Sequence, residues 1–172
     1  MDHALSALLD DTLPPVPSGS SQDILLTNHF GDFVVHADTA LTFDHGIIGF
    51  SEFKNFALVK LPHLETETPF RLLVSLDEPH LSFIVFPTTS QFPLIDKEDV
   101  SALCQHYKTK PSDLLLLHMA SIQEDAAFGN KITLNLKAPI VIDASTRRAE
   151  QHVFTDKNYS LHYRMDGQRK GI

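Results

Sequence analysis

The sequence predicts a mainly β protein: a small antiparallel β-barrel or sandwich-like domain with one short α-helix, at about residues 96–107. Three observations lead there. Short runs rich in Val, Ile, Leu, Phe and Thr recur along the chain, most of them bounded by Gly, Pro or Asp. A single stretch, "DKEDVSALCQHY", has helical spacing instead. The chain of 172 residues, 42% hydrophobic, is the size of one domain with one buried core.

Residues 1–22 read as a flexible appendage: a short helical pattern (Ala4, Leu5, Leu8, Leu9) followed by "PPVPSGSS", where three prolines block regular pairing. The ordered domain is expected over 23–163, with a basic tail at 164–172. "ILLT", "HFGD" and "FVVHA" form a hairpin closed at Gly31. Strands follow at Thr39 to Phe43, Phe56 to Lys60, Arg71 to Ser75 and Ser82 to Phe86. In the helix, Asp96 is the N-cap, Glu98 and Asp99 sit in the first turn, and Val100, Leu103, Cys104 and Tyr107 make the buried face. Cys104 is thereby a core thiol. "DLLLLHMAS" reads as a strand buried on both faces. "NKITLNLK" alternates, with Ile132, Leu134 and Leu136 inward and Thr133 and Asn135 outward. Pro139 breaks the ladder, "IVID" resumes it, "ASTRR" turns, and "EQHVF" is the last strand before an irregular basic end. No internal repeat is present.

Charge narrows the partners. The net charge is −8, yet residues 146–172 hold six basic and three acidic side chains, so the first 145 residues carry −11. Such a body repels phosphate backbones, which disfavours direct nucleic-acid binding, and it suits a basic protein partner. No apolar run approaches the ~20 residues of a membrane-spanning helix, and no membrane association is expected. The N-terminus has no signal-like character and there is one cysteine, so the chain reads as cytoplasmic.

Chemistry-bearing patterns are sparse. The histidines are scattered without HExxH or CxxC spacing, so no metal or cofactor is expected. Asp77 and Glu78 could serve acid–base work, but a "DEP" turn accounts for both. "GIIG" at Gly46–Gly49 reads as a tight loop that needs glycine backbone freedom. A Cys104 dyad with His106 or His118 is conceivable, against which stands the place of Cys104 on the apolar helix face.

Three blocks carry a family resemblance. "LTFDHGIIGFSEFKNFALV", "PFRLLVSLDEPHLSFIVFP" and "NKITLNLKAPIVIDASTRRAEQHVF" resemble, in that order, the bacterial flagellar assembly factor FliW family. Phe43, Gly46, Ile47, Gly49 and Phe50 fit the first motif, with Ser51 where an acidic residue is usual. Pro69, Phe70, Leu73, Ser75, Asp77, Pro79, Leu81 and Phe83 fit the second, and Asn135, Leu136, Ala138, Pro139, Ile140, Val141 and Ile142 the third. The resemblance implies a non-enzymatic cytoplasmic protein, a monomer when free. As implied, it binds flagellin like a chaperone and alternatively binds and antagonises CsrA, an RNA-binding translational regulator, coupling flagellin translation to export.

Five residues are the expected partner contacts: Phe50 and Phe53 as apolar anchors, Asp77 and Glu78 as acidic contacts, and Asn135 beside the Pro139 break. For Asn135 a hydrogen bond to a neighbouring loop is an equal alternative. Two competing readings remain: a small-molecule-binding barrel or enzyme using Asp77 and His80, and an RNA binder using the basic end with Tyr159 and Tyr163.

Overall fold

The computed structural model describes residues 23–61, 68–123, 131–155 and 157–165. The appendage expected at 1–22 lies outside them, as does the tail beyond Met165. Strands β1 (Asp23–Asn28) and β2 (Gly31–His36) form the expected hairpin. Its alternation sends Leu26, Phe33 and Val35 inward and leaves Leu25 and Val34 exposed opposite each other. The inward row packs on Ala57, Leu72 and Val74.

The remaining strands are β3 (Leu41–Phe43), β4 (Asn55–Lys60), β5 (Arg71–Ser75), β6 (Ser82–Pro87), β7 (Leu114–Gln123), β8 (Lys131–Leu134), β9 (Ile140–Asp143), β10 (Arg148–Gln151) and β11 (Tyr163–Arg164). β3 to β7 make an antiparallel meander. β9 pairs with β7 and β10 with β9, both antiparallel, and β10 then lies parallel to β3, closing a barrel of seven strands. A barrel, not a sandwich, is therefore the outcome, with one parallel seam.

β7 serves three neighbours along its length. Leu114–Leu117 face β9, Leu117–Met119 face β6, and Ala120–Gln123 face β8. Its "LLLL" run is buried on both faces. Leu115 and Leu117 point into the lumen with Leu41, Phe43, Phe56, Leu73, Val85, Ile140 and Ile142. Leu114 and Leu116 point outward beneath the single α-helix of the described residues, α1 (Lys97–Tyr107), and meet its Leu103 and Cys104. Each such leucine contributes roughly 2–3 kcal/mol of transfer free energy, so four in a row make β7 the strand around which both clusters form.

Two local readings are corrected by the structure. Thr39 ends a 3-10 turn (Ala37–Thr39), and β3 begins only at Leu41. The "EQHVF" strand is shifted to Arg148–Gln151, because the chain leaves the barrel after Gln151, and β11 then adds a short strand beside β8. Asp99 stands in the first turn of the helix as expected, and it is buried there, accepting from the Tyr159 hydroxyl at 2.7 Å and pairing with Lys157 at 3.2 Å. The returning C-terminal segment covers that helix face, and the Tyr159 bond holds the Asp99 carboxyl below its ordinary value.

The ladder is interrupted beside Asn135. Ala120 opposes Leu134 while Leu117 opposes Ile140, so the two β7 residues between them face five on the other side and three are extra. The chain takes up the surplus as a bulge after Asn135. Asn135 Oδ1 accepts from Ala138 N–H at 3.0 Å, so its side chain turns along the bulge and is only partly exposed. This is the local hydrogen bond weighed as the alternative.

His118 is fully buried at the foot of the bulge. Its Nδ1 lies 3.2 Å from the Asn135 carbonyl, an acceptor, so Nδ1 carries the proton and Nε2 accepts from Thr88 Oγ1 at 2.7 Å. Burial pushes its pKa down to about 4, against the upward pull of the Asn135 carbonyl. A histidine held neutral in the fold binds its proton more readily when unfolded. Its contribution is thus complete above 6.5 and is lost as pH falls toward 4, by about 3 kcal/mol in all. Unfolding free energy measured by denaturant titration should fall across that window, and His118→Gln should flatten the fall. An equally steep decline in the variant would contradict this assignment.

Candidate functional site

One end of the barrel is covered by the loop 44–54, which joins β3 to β4. Its conformation follows from Gly46, which has φ +70° and no room for a side chain. A Cβ there would lie 2.8 Å from Ser51 Cα and 2.9 Å from the carbonyl oxygens of both Phe50 and Phe53. The loop folds back on itself through Phe50 N–H to the Ile47 carbonyl at 2.7 Å and Phe53 N–H to the Phe50 carbonyl at 3.3 Å. Ile47 is thereby buried in the lumen, and Ile48 is left at the tip with 64% of its surface exposed. Phe50 and Phe53 are partly buried against the lumen cluster, with Phe50 edge-on to Phe83 at 5.4 Å between ring centroids.

The adjoining loop between β5 and β6 anchors this one. Asp77 Oδ2 accepts from the backbone N–H groups of Lys54 and Asn55 at 2.7 and 2.9 Å, and Oδ1 accepts from Asn55 Nδ2 at 3.0 Å. Burial alone would raise the Asp77 carboxyl. The hydrogen bonds from the Asn55 side chain and from the Asn55 and Lys54 amides outweigh it and hold the group below its ordinary value. The "DEP" turn is built by Ser75 Oγ, which accepts from Asp77 and Glu78 N–H, and Glu78 in turn accepts from His80 N–H. Asn28 Nδ2 donates to the Pro79 carbonyl at 3.2 Å, which attaches the β1–β2 turn to the same end.

On the opposite side the loop meets the bulge through Gln151. Ile48 N–H donates to Gln151 Oε1 at 2.9 Å, and Gln151 Nε2 donates to the Ala138 carbonyl at 3.2 Å. All five expected contact residues are therefore built into one barrel end. Phe50, Phe53, Asp77 and Glu78 lie on its two adjoining loops, and Asn135 joins them by way of Ala138. Their character is mixed: the phenylalanines are half core, and the Asp77 oxygens are taken up by the neighbouring loop. Sequence reasoning missed Ile48 and Gln151. An apolar pair between two glycines was a usable signal for Ile48, whereas nothing in the sequence marks Gln151.

Other candidate chemistry is weaker. Among the described residues no three His, Cys, Asp or Glu side chains are grouped to hold a metal. Cys104 is buried, and burial pushes its thiol up, while His118 bonds to Thr88 and Asn135. Tyr159 and Tyr163 pack against the cluster under α1, and Tyr159 is engaged with Asp99, so neither is a free stacking platform. No helix of the described residues is long and apolar enough to cross a membrane.

Comparisons with known proteins agree with this architecture. The sequence model of the FliW protein family matches residues 24–165. The chain is 33% identical over 142 residues to the flagellar assembly factor FliW of Geobacillus kaustophilus (strain HTA426), covering 82% of this chain and 94% of that one. It is 31% identical over 142 residues to the flagellar assembly factor FliW of Lachnospira eligens, covering 80% and 90%. A crystal structure of the flagellar assembly factor FliW superposes with a TM-score of 0.64 at 33% identity, over 83% of this chain and 96% of that one.

Gly46→Ala should cost about 3 kcal/mol or more of stability, since strained backbone and three close backbone atoms add together. Asp77→Ala should cost about 1–2 kcal/mol through the loss of charge-assisted bonds to backbone N–H. Chemical denaturation of each variant measures both. A neutral Gly46→Ala would mean that the loop takes another path.

Proposed function

Because the chain belongs to the FliW family of flagellar assembly factors, we propose that it is a cytoplasmic binding protein, not an enzyme, that docks flagellin at the barrel end carrying Ile48. In the same reading it alternatively binds a CsrA-type RNA-binding regulator and relieves its repression of flagellin translation. Flagellin leaving the cell frees the protein, the regulator is then sequestered, and synthesis follows export.

The observation that carries the docking site is the exposed Ile48 tip on a loop fixed from three directions. An apolar side chain presented on rigid backbone loses little entropy on binding, which suits the apolar face of an amphipathic segment. Beneath the tip, Phe50, Phe53, Phe83, Leu81 and Met119 pack against the lumen cluster that holds Ile47. Glu78 on the adjoining loop supplies a carboxylate for a basic partner, while Asp77 and Asn135 hold backbone in place.

The regulator limb is supported by charge. With −11 on its first 145 residues, the protein beside a basic RNA-binding surface lowers that surface's potential and with it the affinity and on-rate of RNA. Salt weakens such an effect. A small-molecule or enzymatic reading has less support, since the lumen is filled by side chains and Asp77 is engaged with backbone amides.

Calorimetric titration of the purified chain with flagellin and with the regulator of its own source tests the reading. Each should bind and compete with the other, and the regulator should weaken from low to moderate salt. Ile48→Asp should weaken flagellin binding roughly tenfold or more at unchanged melting temperature. Equal affinity of the variant would remove the barrel end as the docking site, and binding of neither partner would sink the functional reading.

A further inference from the structure

The side-chain amide of Gln151 lies between the two segments that build the docking end, and it satisfies one backbone group of each. Its Oε1 accepts from Ile48 N–H at 2.9 Å and its Nε2 donates to the Ala138 carbonyl at 3.2 Å. These two demands fix the amide's orientation, because a flipped group would set donor against donor and acceptor against acceptor. The other backbone group of Ala138, its N–H, is held by Asn135 Oδ1 at 3.0 Å. Two carboxamide side chains thus clamp one residue of the bulge, and one of the two also holds the loop.

The tip has little packing to fix it otherwise. Ile48 is mostly in solvent, and nothing lies within 4 Å of where a side chain would begin at Gly49. Ile47 below it is core, so the tip is held from beneath by packing and from the side by the Gln151 acceptor. Gln151 is the last residue of β10, paired with Ile140, so its own backbone is fixed by the barrel.

We propose that Gln151 is a positioning residue that ties the Ile48 tip to the 135–139 bulge, so that the two segments hold or lose their conformation together. A partner that pulls Ile48 away from the barrel breaks the N–H···Oε1 bond and frees the amide that restrains Ala138. The bulge then loosens at a distance from the contact. The consequence for partner binding rests on the docking site proposed above, while the coupling is a property of the free chain.

Native-state amide exchange followed by NMR on the full chain separates the two bonds. Gln151→Ala should speed exchange at Ile48 roughly tenfold and also speed it at Ala138, whose own acceptor, Asn135, is untouched. Gln151→Glu keeps an acceptor for Ile48 and loses the donor to Ala138, so Ile48 should stay protected while Ala138 speeds up. Unchanged Ala138 exchange in both variants would overturn the coupling, as would equal acceleration of Ile48 by Ala and by Glu. Should Gln151→Ala fail to fold, the Glu variant against wild type decides the question. In flagellin titrations the Ala variant should bind roughly tenfold more weakly and the Glu variant close to wild type. If wild type binds no flagellin, the docking reading falls and the exchange pattern still decides the coupling.

Discussion

The structure depends on β7 being satisfied on both edges and both faces at once. A strand buried in this way can leave no backbone polar group unpaired without a penalty of a few kcal/mol, so its neighbours are dictated to it. β6 on one edge and β9 on the other turn an open meander into a closed barrel. The two rows of leucines then assign the interior: odd positions to the lumen, even positions to the layer beneath the helix. Removing the unpaired edges of the sheet is the usual benefit of closure.

Closure also shapes the barrel end proposed for docking. Because the strand facing β7 carries three surplus residues, the chain bulges after Asn135, and the bulge brings Ala138 within reach of Gln151. On the other side Gly46 lets the loop fold back tightly enough that Ile47 sinks into the lumen and Ile48 stays out. A displayed apolar residue and a buried one, adjacent in sequence, are therefore consequences of one glycine.

Much of the fold was legible because period and punctuation agree with it. Arg71 to Ser75 was bounded to the residue, the helix after Asp96 lay within a residue of its observed limits, and the strands of the hairpin at Gly31 within two. What was not legible depends on tertiary partners. Asp99 reads as a first-turn helix charge, and its burial is visible only once Tyr159, far along the chain, returns to cover it. Asn135 lies between buried Leu134 and Leu136 as alternation suggests, but only the bulge decides that its side chain accepts from Ala138 N–H. The barrel could not be told from a sandwich because closure rests on the two-residue parallel seam between β3 and β10, which leaves no periodic trace. At the site, the acidity of Asp77 is visible in a sequence, whereas the backbone amides of Lys54 and Asn55 that engage it are not. Gln151 was invisible for the same reason.

The parallel seam has a consequence for how the protein is made. Thr42 waits for Arg148, more than a hundred residues later, before the ring can join. During synthesis the meander from β3 to β7 emerges from the ribosome with a bare edge, and joining is a late, non-local and therefore slow event. Gln151 arrives in the very strand that completes the ring. An unfinished chain thus lacks the side chain that secures the proposed docking end, and competence to engage a partner there is gained only once β10 has been made.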